Sequence, residues 1–253
     1  DVRAAPARAV WEVRQCVGVQ KYSFMSGSRA MRIMKVLHLI PSLELGGAQR
    51  QLSLLAPALA ARGHEVHIAS VQSGEFYSEL QSSSLKLHRL RARGNYDPAI
   101  AWQIVKLIRS VRPDIVQTWI LQMDILGGLA CGLTKTPWIL REPTNALGWP
   151  DTPKNRLRRR VGATASAIVS NSRGGDEYWS THHPASRRFT IRNGLPLQEI
   201  EAASASTLEE LGLESSQSMI LYAGRFIPDK NIESLIAALE QVIRCADVVA
   251  LLC

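Results

Sequence analysis

The chain has 253 residues, of which 46% are apolar and 21% charged, and it carries a formal charge of +8. These values exclude a disordered or fibrous chain, and the basic balance points to a phosphorylated ligand, another polyanionic partner or an acidic membrane surface. Four scattered cysteines (Cys16, Cys131, Cys245 and Cys253) form no CxxC, which excludes a disulfide framework and zinc-ligand spacing and fits a reducing compartment.

The first thirty residues contain no initiating Met at position 1 and no seven-residue apolar core, so a secretory signal is not expected there. They are Arg-containing and poor in acids. A leader or disordered extension is expected over residues 1–34, with Met25, Met31 or Met34 as candidate starts. No apolar run along the chain reaches the roughly 18 residues that a spanning helix needs.

From Lys35 the pattern becomes regular. "KVLHLI" reads as a strand closed by Pro41, "LELGGAQ" as a turn, and "AQRQLSLLAPALAARG" as a helix with apolar Leu52, Leu55, Ala56 and Leu59. "EVHIASV" is the next strand, which makes a βαβ unit and commits the fold to a parallel sheet. The alternation continues with strand "LKLHRL", helix "PAIAWQIVKLIRSVRP", strand "DIVQTW", a short helix "MDILGGLACGL" and strand "PWILRE". A basic helix "TPKNRLRRRVGAT", strand "SAIVSNS", helix "GGDEYWSTHH" and strand "RRFTIRNG" complete it. Several of these strands are apolar without strict alternation, as expected when both faces are buried. The expected architecture is an open, doubly wound α/β sheet over residues 35–196. An acidic, Ser/Ala-rich linker follows. Then "MILYAG", a turn with Arg225 and Lys230, "NIESLIAALEQVI" and "DVVALL" begin a second α/β unit within 197–253.

In open α/β sheets ligands bind beyond the carboxyl ends of the strands, so the residues after each strand are the candidates. Gly46 and Gly47 open a helix whose free N–H groups attract phosphate, although an ordinary tight turn would look the same. A GxGxxG is absent and "EVHIASV" is followed by no ribose-holding acid, which disfavours a nicotinamide cofactor. Thr118, Trp119 and Asp124 sit at or after a strand end. Trp119 is suited either to stack on a sugar face or to fill a core. Arg141 and Glu142 follow another strand, as a charge pair lining a cleft or as a structural salt bridge. Arg225 and Lys230, set before a helix near Asn231, would suit a diphosphate. The His182-His183 pair reads as solvated. The run Lys154–Arg160 lacks the interleaved aromatics of nucleic-acid binders and reads as a solvated face able to touch acidic headgroups.

Taken in this order and spacing, "MKVLHLIPSLELGGAQRQLSLLAPALAARGHEVHIASV", "RPDIVQTWILQMDILGGLA", "AIVSNS", "TIRNGLP" and "ILYAGRFIPDKNIESLIAAL" resemble the family-4 type of retaining glycosyltransferase with the GT-B fold. The resemblance covers Lys35 to Cys253. It implies two Rossmann-like domains across a cleft, the first taking a saccharide or lipid-linked acceptor and the second a nucleotide-diphosphate sugar. It also implies that Gly46 and Gly47 approach the donor phosphates. Arg225 and Lys230 would clamp the diphosphate and stabilise the leaving nucleotide, with no metal and no other cofactor. Thr118, Trp119, Asp124, Arg141, Glu142 and Asn193 of the "RNGLP" hinge would fall to the acceptor or sugar cleft.

Two features depart from the family pattern. Many relatives carry His where this chain has Gln117 and Trp119; the "QTW" form resembles members acting on lipid-linked or cell-surface saccharides, hence a role in cell-envelope polysaccharide synthesis. The family's Glu-x7-Glu is missing, since Glu233 and Glu240 are separated by only six residues and come too early. An incomplete donor domain is therefore expected. The expected location is the cytoplasm or the inner face of a membrane, with Lys154–Arg160 as the contact and no nucleic acid as partner. The alternatives are a non-catalytic acceptor-domain protein that needs a partner, and another GT-B enzyme such as a nucleotide-sugar epimerase or a phosphorylase.

Overall fold

Strand β1 (Lys35–Ser42) buries five consecutive residues, Val36, Leu37, His38, Leu39 and Ile40. Side chains on both of its faces are covered, as in a central strand of a parallel sheet. The computed structural model describes residues 32–94, 97–204, 218–224 and 226–253. Most of the leader expected over residues 1–34, the second half of the linker and Arg225 lie outside the described residues.

After β1 come α1 (Gly47–Ala61), β2 (Glu65–Gln72), α2 (Glu75–Gln81), β3 (Lys86–Arg89), α3 (Pro98–Val111) and β4 (Ile115–Trp119). Then follow α4 (Ile120–Thr134), β5 (Trp138–Glu142), α5 (Pro153–Gly162), β6 (Ala167–Ser170), α6 (Arg173–Trp179) and β7 (Arg188–Thr190). The seven strands form one parallel sheet in the order β3-β2-β1-β4-β5-β6-β7. This is the doubly wound α/β arrangement expected from the alternation of elements. Its order reverses between β1 and β4, where the chains leaving the two strands diverge and leave a crevice.

Local chemistry sets the helices. The Asp97 side chain accepts from the Ala99 N–H at 2.9 Å, Pro98 opens α3, and Ile100, Ile104, Ile108 and Val111 point inward. Arg112 then ends the helix in the left-handed region. Two apolar cores result. Ile40, Leu52, Ala56, Phe76, Leu80 and Trp119 pack the sheet against α1 and α2. Leu37, Leu39, Val116 and Leu140 meet the buried sides of α3 and α4 on the other face.

Two elements differ from expectation. Helix α2 was not apparent in the sequence because seven residues offer too short a window for periodicity; its Phe76 and Leu80, four apart, are what hold it down. Helix α4 runs for 15 residues rather than as a short helix. A Cβ on Gly127 would lie 2.7 Å from Leu39, and one on Gly128 would lie 2.5 Å from Val161 and 2.8 Å from Trp138. The Gly pair is what lets α4 lie this close to the sheet and to α5.

The chain divides into two compact units, with the boundary between Gly194 and Leu195. Among the described residues the second holds α7 (Leu197–Ala202), β8 (Ser218–Tyr222), α8 (Ile232–Ile243) and β9 (Val248–Leu252). Strands β8 and β9 pair in parallel, so this is one βαβ unit. Its helix buries only Leu239. No helix among the described residues is long and apolar enough to cross a membrane.

Candidate functional site

A cavity of about 140 Å³ lies at the reversal of strand order in the first unit. One wall is the start of α1, where Gly47, Ala48 and Gln51 line it. No side chain caps this helix and its first turn holds no acid, so its N–H groups present partial positive charge. Gly46 is extended and its Cβ would collide only with the Gln49 side chain, whereas a Cβ on Gly47 would meet open space. Nothing in the protein itself occupies the room that Gly47 leaves.

The opposite wall is made by the ends of β4 and β5. Trp119 and Arg141 are register partners, so they fall on the same face. The Arg141 guanidinium lies 5.7 Å from the Trp119 ring centre. It donates to the Glu142 carbonyl at 2.8 Å and to the Asn193 side-chain oxygen. Burial pulls its pKa below the usual arginine value. Trp119 donates its indole N–H to Nδ1 of His38 at 3.3 Å. Burial lowers His38 to about 4, so the imidazole is neutral and able to accept. Gln51 also exchanges two hydrogen bonds with the Gly194 backbone, at 2.8 and 2.9 Å, which ties the end of the first unit to α1.

Five lining residues, Ala48, Gln51, Ile120, Pro143 and Asn171, were missed in the sequence, and two of them stand out. Ile120 has φ +69°, a genuine outlier for a β-branched residue and a cost of order 1–3 kcal/mol, held where β4 turns into α4. Asn171, directly after β6, donates to the Pro143 carbonyl at 2.7 Å, which leaves its Oδ1 buried without a partner. Its place after a strand end was the available signal; the backbone angle of Ile120 had none.

The remaining cleft candidates separate by strand parity. Thr118 and Glu142 each neighbour a cavity residue in sequence, and therefore point to the other face of the sheet. Thr118 donates to Asp124 at 2.6 Å, and Arg158 bridges Asp124 at 2.7 Å and Glu142 at 2.9 Å, with all four residues fully buried. Glu142 also accepts from the Thr144 amide and from the indoles of Trp149 and Trp179. Burial raises the Asp124 carboxyl, and the Glu142 charge adds to the effect. Thr118, Asp124 and Glu142 thus form an internal polar core, which corrects their expected place in the cleft and the expected Arg141–Glu142 charge pair. Arg158, expected on a solvated basic face, is its centre. His183 is a similar correction: it is buried and bonds the Ala165 carbonyl at 2.9 Å, whereas His182 is exposed.

In the second unit, Lys230 is exposed and ends the turn Pro228–Lys230. Asn231 follows with φ +51°, and no side chain caps the start of α8.

Residues 45–199, more than half of the chain, match the family described as Glycosyltransferase Family 4. Among curated proteins a sequence search finds no match. Solved structures similar in fold include Anabaena HepE in complex with UDP-glucose, at TM-score 0.70 and 18% identity over 87% of this chain and 60% of that one. Sucrose-phosphate synthase from Thermosynechococcus elongatus follows at 0.66 and 15%, over 87% of this chain and 62% of that one. UDP-GlcNAc 2-epimerase from Methanocaldococcus jannaschii gives 0.58 and 14%, over 87% and 65%. The chain therefore spans about 60% of the length of the first of these proteins. With a doubly wound sheet followed by a second βαβ unit, and with more than half its length matching one family, the chain belongs to glycosyltransferase family 4 and has a GT-B-type fold.

Proposed function

We propose that the protein transfers a sugar from a nucleotide-diphosphate sugar to a saccharide or lipid-linked acceptor, with retention of configuration. The observation that carries this reading is the cavity at the strand-order reversal, in a member of a glycosyltransferase family. Its uncapped helix start suits phosphate, and Arg141 and the orphan Oδ1 of Asn171 suit sugar hydroxyls. HepE, of the same fold, is held with UDP-glucose, which supports the donor class.

In this reading Gly46 and Gly47 bring backbone N–H groups to the donor phosphates. Trp119, Arg141 and Asn193 shape the sugar side. From the donor domain, which we assign to 197–253 against an acceptor domain at 35–196, Arg225 and Lys230 neutralise the diphosphate as the glycosidic bond breaks. The charge of the leaving group is met by side chains and helix starts, so no metal or cofactor is required. An acceptor of the cell envelope, met on the cytoplasmic face of a membrane, agrees with the "QTW" sequence and with the exposed members of Lys154–Arg160.

The test is to incubate the chain with a panel of nucleotide sugars, with and without saccharide and lipid-linked acceptors, and to follow nucleotide release and product anomer. Acceptor-dependent release with retained anomer is expected, and Lys230→Ala should lower the rate by about 10²–10³. Conversion of the donor sugar without acceptor would point instead to the epimerase chemistry named for one structure of similar fold. Failure to release nucleotide from any donor would overturn the reading for this chain.

A further inference from the structure

The helices α3, α4 and α5 lie side by side, with α4 packed between the other two. The exposed stripe of α4 is Leu129, Gly132 and Leu133, with no polar group, and the two leucines are 46% and 72% exposed. On α3 the outward residues Trp102, Lys106 and Arg109 follow at helical spacing, and Trp102 is 55% exposed. On α5 the outward stripe is Arg156, Leu157 and Arg160.

Acids are scarce in this layer. The chain has 22 Asp and Glu residues, yet the three helices contain only one, Asp124, which is fully buried against Arg158. Asp97 and Asp151 stand before α3 and α5, where Asp97 caps its helix and Asp151 pairs with Arg159 at 2.7 Å and, more loosely, with Arg156 at 3.8 Å, which leaves Arg160 as the cation of the outward α5 stripe away from it. Helix α1 also lacks an acid but has Arg50 as its one cation, whereas acids stand on α2 (Glu75 and Glu79) and on α6 (Asp176 and Glu177). A face exposed only to water ordinarily mixes both signs. Here an apolar strip is flanked by a tryptophan and, on both neighbouring helices, by outward cations with no outward acid among them.

We infer that the outer face of α3, α4 and α5 docks on an anionic lipid bilayer, with the leucines and Trp102 entering the interface and the flanking cations meeting headgroup phosphates. Basic residues near such a surface are drawn to its anionic headgroups, and an indole suits the boundary between apolar and wet layers. A polyanion without an apolar layer would make no use of Leu129 and Leu133, and a neutral apolar partner would make none of the cations. The proposal extends the reading of a lipid-linked acceptor by giving the protein a surface on which to meet it. Docking itself needs no sugar nucleotide.

The experiment is co-sedimentation of the full chain with vesicles of phosphatidylcholine alone or mixed with phosphatidylglycerol, at low and high salt. Strong preference for the mixed vesicles, weakened by salt, is expected. Lys106→Glu with Arg160→Glu should reduce that binding more than about tenfold. Leu129→Ser with Leu133→Ser should remove the part that survives high salt. Arg62→Glu with Arg89→Glu, exposed cations outside these helices, should leave binding unchanged. All of these positions are exposed, so circular dichroism should report the native fold in each variant. Equal binding to both vesicles, equal loss in the control variant, or leucine variants that bind as well as the parent would overturn the proposal. Because the vesicles carry no donor or acceptor, failure here leaves sugar transfer untouched, and loss of transfer leaves docking untouched.

Discussion

Arg158 shows how a residue's chemistry depends on what its fold places around it. In sequence it is one of several arginines in a basic run, but in the protein it is fully buried between Asp124 and Glu142, with its guanidinium 4.0 Å from the Trp149 ring centre. Arg158→Leu would leave two buried carboxyls without their cation and should destabilise the first unit by about 3–5 kcal/mol, read as a lower urea midpoint. His38 supports a pH prediction. Its pKa in the fold is about 4, below the ordinary imidazole value, so the unfolded chain binds the proton more readily between the two. The stability that depends on neutral His38 is present above about pH 6.5 and is lost as the pH falls toward 4, by about 3 kcal/mol in total. Denaturant midpoints at several pH values should show that loss in the parent and a shallower one in His38→Asn, which retains an acceptor for Trp119 but does not titrate.

Among the elements, alternation along a strand decides which neighbours share a task. Trp119 and Arg141 line the cavity while Thr118 and Glu142, one residue away, belong to the internal polar core. The sequence placed all four at strand ends but held no register between β4 and β5, and so could not sort them by face. Helix α4 supplies the test. Gly128→Ala gains about 1 kcal/mol of helix propensity but pushes a methyl into Val161 and the rigid ring of Trp138, at a cost of about 1–3 kcal/mol. A net loss in thermal stability is expected. A gain would show that α4 can move off the sheet freely.

The two units of the protein differ in how much of themselves they cover. The seven-stranded sheet has helices and apolar cores on both faces. By contrast β8 and β9 form a two-stranded sheet whose Met219 and Leu221 are exposed, and Ile236, Val242 and Ile243 of α8 are exposed as well. Few buried contacts mean low local stability. Hydrogen exchange should be fast from Met219 to Cys253 and slow in β1, β4 and β5; uniform strong protection of the second unit would contradict this. The parallel sheet was legible without any structure, because alternating strand and helix patterns with no polar strand face allow little else. So was the family, through motifs whose order and spacing survive without contacts. Folding in three dimensions decided the face on which each strand-end residue lies, the burial of Arg158 and His183, the strained turn at Ile120 and the outward acid-free layer of α3, α4 and α5. Each of these depends on register or on packing between residues far apart in the chain, and local sequence carries no record of either.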